Sequence, residues 1–279
     1  MKDVNKNESE ERVGKREKFI KKARESVQEA LRSRDMLLGC SAKSIETIEK
    51  VINQLTEKLE EWYAVYFPEF KPPEDRKKFV EAVIVTDRKN IDRKSLAAII
   101  GEKAAILAEE RAKNSLGAEL DGRDIKQMKT LAESIISLYK LKEEYERYQN
   151  VLAQEVCPNI SEIAGPEIAA KLIAHVGSLR KLSIMPAGTI QVLGAEKALF
   201  KHLKNKKIAP PKHGIIFQHV RISSSPKAVR GKIARALANK IALAARADAF
   251  TKHFIADELK ADFEKRYKEI IENYKREKK

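Results

Sequence analysis

Apolar residues recur at intervals of three and four along two long stretches of this chain. Ile45, Ile48, Ile52, Leu55, Leu59, Trp62 and Tyr66 are spaced 3-4-3-4-3-4, an unbroken a/d seam flanked by Glu, Lys and Gln. The spacing predicts a helix over about 26–67, stopped by Phe67-Pro68 and then Pro72-Pro73, because the residue before a proline is driven out of the helical region. A second seam carries Met128, Leu131, Ile135, Leu138, Leu141, Tyr145, Tyr148 and Leu152. Between the two, residues 74–117 predict one or two shorter helices with Leu96, Ile99, Ile100, Ala104 and Leu107 facing inward. A turn follows over 114–122, where Asp121 with Asp124 three residues on predicts a capped helix start. Two long seams joined by a compact excursion predict an antiparallel coiled-coil hairpin with arms of roughly 30 residues, about 45 Å long. The seams can pack on each other alone, or also meet a second copy. For that pairing the candidate positions are Ile45, Ile48, Ile52, Leu55, Leu59, Trp62, Leu131, Ile135 and Leu138.

After Cys157-Pro158-Asn159 the texture changes to short helices with frequent Gly and Pro. Gly165-Pro166 predicts a helix with proline in its first turn, closed by Gly177. Pro186 opens another, Gly194 interrupts it, and residues 195–203 continue as a separate helix. Pro210-Pro211-Lys212-His213-Gly214 is a loop leading into Ile215-Ile216-Phe217. Ser223-Ser224-Ser225-Pro226 predicts a helix start, followed by a buried stripe of Val229, Ile233, Leu237 and Ile241, with Lys232, Arg235 and Arg246 on the opposite face. The fold class is therefore all-α, a long helical hairpin followed by a compact helical domain. We divide it as a charged lead-in at 1–25, a coiled-coil domain at 26–157, a compact domain at 158–252 and a charged C-terminal helix or tail at 253–279.

Charge changes this picture more than composition does. The 279 residues carry a net +15. Residues 171–246 contain sixteen Lys or Arg and one acid, Glu196, so the whole excess lies in that segment and the remainder sums to zero. A solvated face normally mixes both signs, and a one-sign field of this size implies a polyanion. RNA or DNA fits better than a lipid surface, since no basic amphipathic helix with an aromatic face is evident there. No stretch reaches the length of a membrane span, and the charged N-terminus does not resemble a secretion signal. Two cysteines, Cys40 and Cys157, are too few for a disulfide framework or a metal cage, so they read as reduced residues of a cytoplasmic protein.

No catalytic constellation rises above background. Gly194-Ala195-Glu196-Lys197 evokes a phosphate loop, but the spacing is wrong and no Ser or Thr follows the lysine. The histidines never pair at metal-ligand spacing with a carboxylate or Cys. His175, among Ile173, Ala174 and Val176, reads as a core or interface residue. The expectation is a protein that is not an enzyme and binds no metal or cofactor. Its basic residues fall in two clusters. Lys197, Lys201, Lys204, Lys206 and Lys207 form the first; Lys212, Arg221, Lys227, Arg230, Lys232 and Arg235 form the second. Spacings of three to five let them track a phosphate backbone, with helix starts at Gly194 and Ser225 adding N–H donors. Phe200 and Phe217 read as core, which leaves few rings for base stacking and favours recognition of RNA by shape.

The stretches GPEIAAKLIAHVGSLRKLSIMPAGTIQVLGAEKALFKHL, PPKHGIIFQH and RGKIARALANKIALAARADAF closely resemble the Nop domain. They are most similar to the Nop-domain core protein of archaeal box C/D small ribonucleoproteins. RDMLL, EKLEEWYAVYFPEF and NSLGAELDGRDIKQMKTLAESI resemble that family's coiled-coil region. The resemblance implies a scaffold that dimerises through the coiled coil and clamps a kink-turn guide RNA already bound by a small ribosomal-type kink-turn protein. It also implies recruitment of fibrillarin, which methylates ribose 2′-hydroxyls using its own S-adenosylmethionine. The family's GAEK motif is Gly194, Ala195, Glu196 and Lys197, and with the following helix (Lys201, Lys204, Lys206) it is expected at the RNA–protein composite. Lys212 and His213 of PPKHG are expected beside it on the RNA, with Arg230, Lys232 and Arg235 as further contacts. The family's arginine after ALF is Lys201 here, which keeps the charge but loses bidentate geometry. The main fibrillarin surface of the family lies on an N-terminal domain most of which this chain is expected to lack. Without the resemblance, the alternative is a coiled-coil structural protein that binds nucleic acid non-specifically.

Overall fold

In the computed structural model, residues 16–25, 27–28 and 34–277 are described. The lead-in reading for residues 1–15 and the start of the first helix at 26 and 29–33 lie outside them; residues 16–25 and 27–28 are helical. Among the described residues the fold is all-helical, with no strand. They divide into two compact units, one of Lys43–Tyr148 and one built from the residues up to Ala42 and from Gln149 onward. The long helices α1 (Arg34–Tyr66) and α5 (Gly122–Val156) contribute to both.

Within Lys43–Tyr148 lie most of α1 and α5 with three short helices between them, α2 (Arg76–Val85), α3 (Arg93–Ile100) and α4 (Glu102–Ala112). The two arms run antiparallel: Lys142 pairs with Glu49 at 3.2 Å, and the Ala118 N–H donates to the Val65 carbonyl at 2.8 Å. Ile52, Leu59, Met128 and Ile135 share one core. The seam departs from strict heptad spacing at its end. Trp62 is 50% exposed, whereas Tyr63 and Phe67 are buried beside Leu59 and Tyr66. A straight helix drifts by ~20° per heptad from a 3.5-residue repeat, which carries the inner stripe one position along. Tyr63 then meets Phe70 and Phe79 edge-on at 5.3 and 5.9 Å. At the predicted cap, the Asp121 carboxylate accepts from the Arg123 and Asp124 N–H groups and the Asp124 carboxylate accepts from the Asp121 N–H, a reciprocal arrangement that satisfies the first-turn donors.

The second unit wraps short helices around α12 (Arg230–Arg246). They are α6 (Pro158–Ala164), α7 (Pro166–Val176), α8 (Leu179–Ser183), α9 (Ala187–Val192), α10 (Glu196–Lys204) and α11 (Val220–Ser223). Eight residues of α12 are buried, five of them alanines, and these small side chains let α6, α8 and α9 pack closely against it. The expected helix start at Ser225 is displaced. Ser225 is buried with its hydroxyl donating to the Arg221 carbonyl, residues 226–229 form a turn, and α12 begins at Arg230. Beyond α12 a π-helical turn, Ala247–Thr251, buries Asp248. Its carboxylate accepts from the Asn159 and Ile160 N–H groups and from the Asn159 side-chain amide. Asn159 in turn holds the His253 carbonyl and the Ile255 N–H. This network aims α13 (Ala256–Glu277) back along α12, where Leu259, Phe263 and Ile270 are buried. Burial pushes the Cys157 thiol up to about 12, leaving it a neutral core residue, while Cys40 is exposed.

Candidate nucleic-acid interface

The site starts from a backbone clamp between two loops. At Gly194 the chain takes φ +83°, a conformation that favours glycine, and α10 leaves in a new direction. Opposite it the PPKHG loop returns, with the Gly214 N–H donating to the Gln191 carbonyl at 2.9 Å and the Ile215 N–H to the Leu193 carbonyl at 2.7 Å. The approach needs a bare α-carbon: a Cβ at Gly214 would lie 1.8 Å from the Leu193 carbonyl oxygen. Gln191, nearly buried, donates its side-chain amide to the Lys212 carbonyl at 2.7 Å and completes the clamp. The GAEK and PPKHG segments are thus one rigid piece.

Glu196 works inside that piece. Its carboxylate accepts from the Gly194 N–H and pairs with the His175 imidazole, both at 2.7 Å. Partial burial tends to raise its pKa, but the backbone N–H and His175 outweigh it and hold the carboxyl below the usual range. The expected Gly194 donor is corrected here: its N–H is taken by Glu196 and does not offer itself to a phosphate. Of the two alternatives for His175, core or interface, the core one falls, since His175 is exposed and partners Glu196. No spacing rule could have joined His175 to Glu196, twenty-one residues away.

Lys197, Lys201 and Lys204 lie along one face of α10, all exposed. None of the helix is buried; Phe200 and Leu203 are 61% and 52% exposed and Ile208 beyond them is 43% exposed. The reading of Phe200 as core is therefore wrong: the half-buried residues of the helix include Leu199 and His202, and Phe200 is turned away from them to solvent. Lys206 and Lys207 follow in an exposed turn held by Asn205.

Lys212 is exposed, whereas His213 is half-buried with its ring stacked on Phe217 at 4.4 Å. Burial, then the nearby Arg230 and Lys212 charges, push the His213 pKa down, so it stands neutral at pH 7. Arg230 also lies over the Phe217 ring, 5.4 Å from its centre, and its guanidinium donates to the Ser225 and Ser223 carbonyls at 2.8 and 2.9 Å. Arg230 thus braces the loop. Lys232 and Arg235 face out from α12 and share one groove with Lys212.

Thirteen of the sixteen cations of residues 171–246 make no ion pair among the described residues, Arg180, Lys181, Lys227, Arg230 and Arg246 included. Among the described residues, Lys197, Lys201, Lys204, Lys206, Lys207, Lys212, Lys232 and Arg235 make no ion pair, whereas Lys171 and Arg221 pair with Glu167 and Glu264 at 2.5 and 2.9 Å. Of the coiled-coil candidates, Ile52, Leu59 and Ile135 are buried within the protomer, Ile45, Ile48, Leu55, Leu131 and Leu138 are half-buried, and Trp62 is exposed. No group of His, Cys, Asp and Glu among the described residues could hold a metal, and no helix there is long and apolar enough to cross a membrane.

The chain is similar to an uncharacterized NOP5 family protein of Methanocaldococcus jannaschii, with 45% identity over 86% of this chain and 58% of the relative. It is similar to nucleolar protein 56 of Dictyostelium discoideum, 38% identical over 74% of this chain and 39% of the relative, and to nucleolar protein 58 of Botryotinia fuckeliana, 34% identical over 82% and 40%. The chain thus spans about half the length of the curated relatives it matches. A solved structure described as the fibrillarin/Nop5p complex aligns with a TM-score of 0.54 and 28% identity, over 91% of this chain and 78% of that one. Residues 44–269 match the family described as "Nop: snoRNA binding domain, fibrillarin"; the chain belongs to the Nop family.

Proposed function

We propose that this protein is a scaffold of a box C/D-type ribonucleoprotein, which binds a kink-turn guide RNA together with the small protein that caps it. One observation carries the reading: five lysines without ion-pair partners among the described residues, Lys197, Lys201, Lys204, Lys206 and Lys207, lie on and just after a helix whose Phe200 and Leu203 are bare, and Lys212, Lys232 and Arg235 share a groove of the same unit. A phosphate backbone answers the first half of that surface, and a protein surface answers the second. Naked RNA would leave the apolar half in water, so the composite is the ligand that fits both. The remaining roles follow from the family. A second copy would pair through the hairpin, on its half-buried positions and Trp62. Fibrillarin would supply the methyl transfer, with its own S-adenosylmethionine, to ribose 2′-hydroxyls chosen by the guide RNA. The chain itself would do no chemistry and work in the cytoplasm.

The test is titration of the full chain against a kink-turn RNA, with and without its kink-turn protein, and against a duplex of equal length. Weak binding to RNA alone and tight binding to the composite are expected. Lys197→Ala with Lys201→Ala should weaken composite binding about tenfold or more, on the scale of two lost phosphate contacts. Equal affinity for all three ligands would instead make this a coiled-coil protein that binds nucleic acid non-specifically.

A further inference from the structure

The groove that collects Lys212, Lys232 and Arg235 has a second wall. It is a cleft of about 980 Å³ between α12, the loop of Pro210 and Pro211, and the C-terminal helix α13, which contributes Asp262, Lys265, Arg266 and Glu269. Two of the cations in it are already neutralised: Lys240 pairs with Asp262 at 2.9 Å, and Arg266 with Glu269 at 2.8 Å. Lys212, Lys232, Arg235 and Lys265 are left, and among the described residues none of the four makes an ion pair.

What lines the rest of the cleft narrows the ligand. No aromatic ring lies in it, so stacked bases have no platform there. On the α12 side the wall is small, with Ala228, Gly231 and Ala236, and admits a close approach. The cleft reaches the upper end of small-ligand pocket sizes, roughly 1,000 Å³, but eight of its seventeen lining residues are charged. Asp262 feels Lys240 first and then Lys265; with Lys212, Lys232 and Arg235, Lys265 still stands outside any ion pair, and four such cations along an open channel without base platforms suit a sugar–phosphate strand, held by charge and without sequence reading.

We infer that the cleft between α12 and α13 is a phosphate track for one strand of the bound RNA, and that Lys265 of the C-terminal helix forms its outer wall. This rests on the proposed RNA-binding function and extends the site to a helix outside the basic segment 171–246. Residues 253–279 sum to a modest charge in the sequence and gave no sign of it. Only the fold brings Lys265 opposite Lys232 and Arg235.

The experiment compares Lys265→Ala and Lys265→Glu with Lys268→Ala, an exposed lysine on the same helix outside the cleft, in the full chain. Each is titrated across a salt series against the kink-turn RNA carrying its kink-turn protein, with thermal melting to check folding. Lys265→Ala should flatten the log–log salt slope by about 0.9, the share of one duplex phosphate contact. Lys265→Glu should weaken binding further, and Lys268→Ala should leave the slope unchanged. If Lys265→Ala binds as the parent does while Lys197→Ala with Lys201→Ala does not, the track is wrong and the RNA-scaffold reading stands. If all bind as the parent does, both fail. Equal losses at Lys265 and Lys268 would reduce the effect to a general field, and a loss seen with the kink-turn protein alone would assign the cleft to protein; either outcome overturns the track.

Discussion

At the scale of single residues, the candidate site is organised by a carboxylate bonded to its own chain. Glu196 is the one acid among sixteen cations in residues 171–246, and its oxygen closes the Gly194 turn while gripping His175. Sequence pattern marked Glu196 through its motif yet could not show the role, because a hydrogen bond across twenty-one residues leaves no periodicity. The same limit hid a structural role of Arg230, whose guanidinium lies over Phe217 and donates to two carbonyls. A titration follows from the depressed Glu196 pKa. A carboxyl held below its unfolded value contributes stability that is present above that value and lost as pH falls through the folded one. NMR titration of the full chain should therefore find the Glu196 carboxyl protonating later than an ordinary exposed glutamate as acid is added. The Gly194 and Ala195 amide signals should shift in the same step. Titration of Glu196 at the ordinary position, with those amides unmoved, would show that the clamp does not hold in solution.

At the scale of elements, legibility followed how far each helix lies from water. The long seams were plain because burial on one side forces a 3–4 repeat, and Pro68, Gly165 and Gly177 ended helices where backbone chemistry demands it. The start of α12 was misplaced because Ser225-Pro226 reads as a cap in isolation, whereas tertiary packing buries the serine and spends its hydroxyl on Arg221. α10 is the opposite case: its apolar positions follow a helical stripe, yet it buries nothing. With no core contact to hold it, α10 should rank among the least protected helices of the free chain, since local opening costs least where few apolar contacts are lost. Hydrogen exchange should show fast exchange at residues 197–204 in the free protein and strong protection in the RNA–protein composite. Phe200→Ser should change folding stability by no more than about 0.5 kcal/mol, as for surface substitutions generally, while weakening the composite. A loss of stability well beyond that, or no gain in protection on binding, would mean that α10 packs on its own chain and is not the docking element.

At the scale of the whole molecule, the decisive property is how an uneven charge is left after folding. The excess of +15 sits in residues 171–246, but folding brings acids from outside the segment onto three of its cations: Glu167 to Lys171, Glu264 to Arg221 and Asp262 to Lys240. No such partner reaches Lys197, Lys201, Lys204, Lys206 or Lys207 among the described residues. Of the thirteen cations of the segment left without an ion pair among the described residues, eight lie on and after α10 or in the groove beside Lys212. Exposed charges act over a Debye length of about 8 Å at physiological ionic strength, so this subset governs encounter as well as affinity. If six of the eight unpaired cations neutralise phosphates, the log–log salt slope for composite binding should be roughly −5, and affinity should fall about 10³-fold between 50 and 200 mM salt. Fluorescence titration at four or more salt concentrations reads the slope directly. A slope shallower than about −2 would leave room for no more than two phosphate contacts, and the apolar face of α10 would then have to carry the binding that is here assigned to the cations.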